Sequence, residues 1–213
     1  AESIYDVPLL MREEKLDEEI LKKTEMPLAT FPDLRNRERF LKKLKNPKGE
    51  VKIGLIGKYV ELKDAYKSIL ESFIHAGAEN EYAVQVESIH SESINDRNTA
   101  RKLKGLSGIL VAPGFGERGI EGKISAIHWA RENRVPFLGI CLGMQCAVIE
   151  FGRNILGFKD AHSTEFDPQT SHPVIDLMEE QKEIDDKGGT MRLGAYPCRI
   201  DKNSKAFTVY QEE

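Results

Sequence analysis

From Val51 onward, short apolar runs alternate with stretches in which apolar positions recur at a spacing near 3.6. That is the pattern of a parallel sheet covered by helices on both faces. The runs Val51–Gly57 (VKIGLIG), Tyr82–Ile89, Gly108–Val111 (GILV) and Pro136–Ile140 (PFLGI) predict strands. Between them, Asp64 to His75 places Ala65, Ile69 and Phe73 on one helical face, and Ile120, Ile124 and Ile127 line another. A further helix is expected from Leu142 to about Phe151. The fold class is α/β, a doubly wound, mostly parallel sheet. In such sheets ligands bind beyond the carboxyl ends of the strands, so chemistry is expected in the loops after Ile56, Val111 and Ile140.

Residues 1–50 read differently. After Val7-Pro8-Leu9-Leu10 no strand-forming run appears, and Pro8, Pro27, Pro32 and Pro47 interrupt the segment. It cannot build a core of its own. Leu34 to Lys48 carries seven basic residues against one acid, Glu38, on a weakly amphipathic helix with Phe40, Leu41 and Leu44. A solvated linker helix is expected, the alternative being a docking surface for phosphate or a partner domain. The chain therefore divides into an appendage, 1–50, and an α/β domain, 51–213.

Composition narrows the picture by exclusion. At 40% apolar and 31% charged residues, the 213-residue chain has room for one domain of roughly 150 residues plus an appendage. A net charge of -4 and a pI near 5.9 give no basic face of the kind nucleic acid requires. No apolar run approaches the roughly 18 to 20 residues that span a bilayer, and the N-terminus has no signal-peptide pattern, so a cytoplasmic protein is expected. Three cysteines, Cys141, Cys146 and Cys198, are too few and too irregularly spaced for a disulfide framework or a zinc site. Reduced thiols are expected.

The candidate chemistry sits at Cys141. Pro136 to Ile140 is expected to be a buried strand, and Gly139-Ile-Cys-Leu-Gly143 is a G-x-C-x-G counterpart of the G-x-S-x-G nucleophile elbow. Glycines on either side let the backbone turn sharply enough to present a strained nucleophile. The helix that follows aims its N-terminal amides at the sulfur, the setting in which a thiol becomes a nucleophile. The Leu142 amide is then placed to donate to an oxyanion. A cysteine between glycines can also be a plain buried thiol, the reading adopted for Cys146 as core or surface thiol and for Cys198. The second loop, Ala112-Pro-Gly-Phe-Gly-Glu-Arg-Gly119, offers Gly114 as another backbone donor, although glycine-rich loops are often only tight turns.

Gly57-Lys-Tyr-Val-Glu-Leu-Lys-Asp-Ala-Tyr66, Gly114-Phe-Gly-Glu-Arg-Gly-Ile-Glu-Gly-Lys123, Pro136 to Gln145, Ser163-Thr-Glu-Phe166 and Gly188-Gly-Thr-Met-Arg-Leu-Gly194 occur in one order. Together they resemble the glutaminase domain of CTP synthases, class I amidotransferases of flavodoxin-like fold. Ser3-Ile-Tyr-Asp-Val-Pro8 is similar to the tail of that family's synthetase domain, so the resemblance spans essentially the whole chain. It implies that Cys141 attacks L-glutamine, that Gly114 and Leu142 line the oxyanion pocket, and that Gly143, Met144, Gln145 and Glu165 help hold the substrate. It implies no cofactor or metal in this domain. ATP and Mg2+ belong with UTP to the synthetase domain, GTP is the family's activator, and a homotetramer is its usual assembly.

Two departures qualify the resemblance. The loop reads Ala-Pro-Gly-Phe-Gly where the family has Pro-Gly-Gly-Phe-Gly, and Gly114 is kept. No His-Pro-Glu follows, although a thiol nucleophile of this type needs a histidine oriented by a carboxylate. His75, at an expected helix end, and His90, His128, His162 and His172 are poor substitutes, which implies a fragment inactive by itself. A DJ-1-type cysteine hydrolase, a catalytically inactive regulatory module and a pure binding domain are the alternatives.

Overall fold

The structure, a computed structural model, describes residues 1–27, 32–62, 64–178, 195 and 197–211. The Gly188–Gly194 motif and Lys63 lie outside these. The described chain forms two compact units, Ala1–Ile175 and Asp176–Glu213.

The first unit begins with three helices, α1 (Val7–Glu13), α2 (Leu16–Lys23) and α3 (Arg35–Lys45). Helices α1 and α2 bury no residue, as expected of a segment too polar to form a core. Helix α3 departs from the solvated linker helix. Leu41 is buried, and the Phe40 ring lies 5.3 Å from that of His75 on the helix α4 (Lys67–Asn80). Its apolar stripe is narrow but sufficient, while most of its basic side chains stay outside. The extreme N-terminus is tied to the same place. Tyr5 donates from its hydroxyl to Glu71 at 2.6 Å, and Asp6 takes the Lys45 ammonium at 2.9 Å.

Four strands, β1 (Gly49–Gly57), β2 (Tyr82–His90), β3 (Gly108–Val111) and β4 (Phe137–Gly139), form one parallel sheet in the order β2-β1-β3-β4. The chain steps from β1 to β2 on one side, then returns to β3 on the other. That reversal places a topological switch point between the carboxyl ends of β1 and β3. Side-chain alternation divides the core between the two faces. Leu55 and Leu110 pack with Tyr66, Ile69, Leu70 and Phe73 on one face. Ile56, Ile109 and Val111 pack on the other with the helices α5 (Thr99–Leu103), α6 (Ile120–Glu132) and α7 (Leu142–Asn154). Each fully buried Leu or Ile contributes roughly 1.5–3 kcal/mol, so this sandwich, not the N-terminal helices, carries the stability.

Two details correct the sequence reading. Helix α4 starts at Lys67, Ala65 is exposed, and the helix runs past His75 to Asn80. The preceding residues are held otherwise, because the buried Tyr66 turns its hydroxyl back to accept the Lys58 and Tyr59 amides at 3.1 and 3.3 Å. Strand β4 is not buried: Leu138 is 58% exposed. Among the described residues β4 is hydrogen-bonded to β3 alone, so its far edge and one face are uncovered.

Beyond α7 a short parallel pair forms between β5 (His162–Ser163) and β6 (Pro173–Ile175). In the second unit, α8 (Lys205–Tyr210) is capped by Ser204, whose hydroxyl accepts the Phe207 amide at 3.1 Å.

Candidate active site

The loops after β1, β3 and β4 meet at one end of the sheet. Cys141, between β4 and α7, has φ 53° and ψ -111°, outside the regions that L-residues ordinarily occupy. The elbow depends on its glycines. A Cβ on Gly143 would overlap the Val111 carbonyl, 2.8 Å from its carbon, and one on Gly139 would stand 2.6 Å from the Gly143 carbonyl carbon. The same Val111 oxygen accepts the Ile140 amide at 3.1 Å, and Gly143 donates to Ile140 at 2.9 Å. Bare backbone thus packs on backbone and leaves Cys141 exposed at the start of a 13-residue helix. Leu142 is the first residue of that helix, so its amide has no partner one turn back.

The second loop reaches the same point. A Cβ on Gly114 would lie 3.7 Å from Leu142 Cδ2, 3.7 Å from Lys123 Nζ and 3.8 Å from Lys58 Cδ. These are ordinary contacts, so the fold itself leaves room for a small side chain at Gly114. Phe115 beside it is 71% exposed. Met144 is exposed and Gln145 half-buried in the first turn of α7. Glu165, half-buried, donates its amide to Ser163 Oγ at 3.2 Å, and its charge acts on the Lys58 ammonium. Gly114, Cys141 and Leu142 therefore converge with the first turn of α7, and Glu165 lies within electrostatic range.

A sequence model described as "Glutamine amidotransferase class-I" matches residues 61–213. The chain belongs to the class-I glutamine amidotransferases. It is 63% identical over 210 residues to the CTP synthase of Flavobacterium psychrophilum, covering 99% of this chain and 39% of that protein. It is 62% identical over 213 residues to that of Flavobacterium johnsoniae, covering 100% and 40%. It is 64% identical over 210 residues to that of Christiangramia forsetii, covering 99% and 38%. The chain thus spans about two-fifths of the length of the curated relatives it matches. Among solved structures it is similar to the Trypanosoma brucei CTPS glutaminase domain with bound acivicin, at 32% identity and a TM-score of 0.64, covering 76% of this chain and 63% of that one.

In this amidotransferase all five histidines are described, and none hydrogen-bonds Cys141. His75 sits 2.7 Å from the Tyr5 hydroxyl, and His90 accepts the Glu92 amide at 3.3 Å. His128 pairs with the buried Glu150 at 3.0 Å, His172 with Asp160 at 2.6 Å. His162 packs edge-on to Phe166, and burial together with the Arg153 cation pushes its pKa down. Of the other thiols, Cys146 is fully buried, and burial pushes its pKa up to about 11, whereas Cys198 is exposed. Among the described residues no group of three His, Cys, Asp or Glu is arranged to hold a metal, and no helix is long and apolar enough to cross a membrane.

Two residues at the amidotransferase site escaped the sequence reading. Lys58 is 3% exposed and Lys123 0%. Lys58 Nζ donates to the carbonyls of Phe115, at 2.5 Å, and Gly116. Lys123 Nζ donates to the Ala112 carbonyl at 2.9 Å. Burial lowers both pKa values, that of Lys123 to about 8. For Lys123 a signal existed: it lies three residues after Ile120 and four before Ile127, on the apolar face of α6.

Proposed function

We propose that this chain carries out the glutamine-hydrolysing half-reaction of a CTP synthase. The observation that carries the reading is Cys141, held at φ 53° at the start of α7 with the Gly114 loop against Leu142. The CTP synthase relatives and the glutaminase-domain neighbour support it.

The Cys141 thiolate bonds to the glutamine carboxamide carbon, and the carbonyl electrons move onto oxygen. That oxyanion accepts hydrogen bonds from the Gly114 and Leu142 amides. Collapse breaks the C–N bond, the nitrogen takes a proton and leaves as ammonia, and a γ-glutamyl thioester remains. Water attacks the thioester carbon, the C–S bond breaks, and glutamate and the thiolate are released. Gly143, Met144 and Gln145 line the bound side chain, and Glu165 receives the α-ammonium in a charge-assisted hydrogen bond. Both steps also need a base and an acid, the part a histidine oriented by a carboxylate plays for a thiol nucleophile of this type. Ammonia passes to a synthetase part that uses ATP and Mg2+ to aminate UTP, with GTP as activator, in a cytoplasmic homotetramer.

The test compares glutamine hydrolysis by residues 1–213, by the full-length protein and by its Cys141→Ala variant. The full-length protein is expected to turn over glutamine, and Cys141→Ala to lose at least about a thousandfold while keeping ammonia-dependent CTP formation. Residues 1–213 alone are expected to be nearly inactive. Glutamine-dependent CTP formation by Cys141→Ala would remove the assignment. Turnover by 1–213 equal to that of the full-length protein would make one of the five histidines the base.

A further inference from the structure

The loop leaving β3 runs out past the sheet, so its carbonyls have no neighbouring strand to pair with. Two lysines take that part. Lys58, arriving from the end of β1, holds the Phe115 and Gly116 carbonyls, and Lys123, arriving from α6, holds that of Ala112. The Ala112 amide is tied as well, donating to Ile56 at 2.9 Å. The loop is thus clipped on both sides of Pro113 and Gly114, the stretch that lies against Leu142.

Among the described residues neither lysine has a carboxylate within ion-pair distance. Burying an ammonium without an acid weakens a fold, and an apolar side chain of similar volume often serves stability better. The effect of these cations on the loop can therefore be separated from any effect on folding. We propose that Lys58 and Lys123 are positioning residues, holding the Ala112, Phe115 and Gly116 carbonyls toward the protein interior so that the Gly114 peptide stays fixed beside Leu142 as an oxyanion donor. This rests on the reading of Cys141 as the nucleophile with Gly114 and Leu142 as donors.

A loop freed at either end lets the donor wander, and a misplacement near 1 Å costs on the order of 100-fold in rate. The consequence falls on steps that build an oxyanion. Iodoacetamide alkylates a thiolate by displacement at its CH2 carbon and builds none, so it reports on the sulfur alone.

The experiment uses the full-length protein with Lys58→Met and Lys123→Met, each measured for glutamine kcat and KM, for Tm and for the rate of iodoacetamide alkylation of Cys141. The expected result is kcat lower by on the order of 100-fold, with KM and alkylation within about threefold of wild type and Tm unchanged or raised. A kcat within about threefold of wild type in both variants overturns the proposal. So does alkylation that falls in step with kcat, because the lysines would then act on the sulfur, and so does loss of folding in both variants. If one variant fails to fold, the other decides. Cys141→Ala separates the two levels: glutamine hydrolysis by that variant defeats the nucleophile assignment, whereas its inactivity beside unaffected lysine variants defeats only the positioning role.

Discussion

Gly143 lies directly against Val111: a Cβ on it would overlap the Val111 carbonyl oxygen and stand 2.8 Å from the carbonyl carbon. Both partners are backbone, so no rotamer change relieves the overlap. Gly143→Ala is expected to lower stability by about 1–3 kcal/mol, the usual cost of overpacking, and to abolish glutamine hydrolysis by displacing Cys141. Urea unfolding with a glutaminase assay reads both, and an unchanged midpoint would mean that the elbow is softer than the structure shows.

Gly114 should behave in the opposite way. Its missing Cβ would meet only ordinary contacts at 3.7–3.8 Å, and its backbone is outside the left-handed region. Gly114→Ala is expected to keep its stability within about 0.5 kcal/mol of wild type. A crowded or displaced donor typically costs on the order of 100- to 1000-fold in rate. Glutamine-dependent CTP formation should fall by that factor in the full-length protein, while synthesis from added ammonia is spared. A parallel fall in both activities would assign Gly114 to the fold or to a domain interface.

The three thiols should separate by setting. Cys146 is fully buried, and burial pushes its pKa up to about 11, so alkylation should reach it only after unfolding. Cys141 and Cys198 are both exposed. Cys141, at a helix N-terminus, should react first, and saturating glutamine should protect it and not Cys198. Peptide mapping after a brief iodoacetamide pulse measures this, and faster labelling of Cys198 or Cys146 would count against the nucleophile.

Lys123 should leave a signature in the pH dependence of stability. Burial lowers its pKa in the folded protein from 10.5 to about 8. Between those values the unfolded chain binds more protons, so this group makes stability rise with pH. Cys146 acts in the opposite direction above about 9, where the unfolded thiol ionises first. The clean window therefore lies between pH 8 and 9. Relative to Lys123→Met, the wild type should gain about 1 kcal/mol across it. Identical pH profiles for the two proteins would mean that Lys123 keeps an ordinary pKa despite its burial.

The strands, their parallel arrangement and the elbow were legible because each depends on near neighbours in sequence. Apolar runs such as Gly108–Val111 report burial on both faces, and the spacing of Gly139, Cys141 and Gly143 reports a turn that larger residues would block. Tertiary structure decided what depends on residues far apart in the chain. Nothing in VKIGLIGKYV separates Lys58 from a solvated lysine after a strand; its burial follows from the switch point that brings the β3 loop over the end of β1. Likewise the apolar run Pro136–Ile140 predicts a buried strand, yet among the described residues β4 has a hydrogen-bonded neighbour on one side only, and strand order is not written in the composition of the strand. Lys123 stands between the two cases. Helical periodicity alone puts it on the buried face of α6, but only the path of the Ala112–Gly116 loop supplies the carbonyl that gives its ammonium a partner.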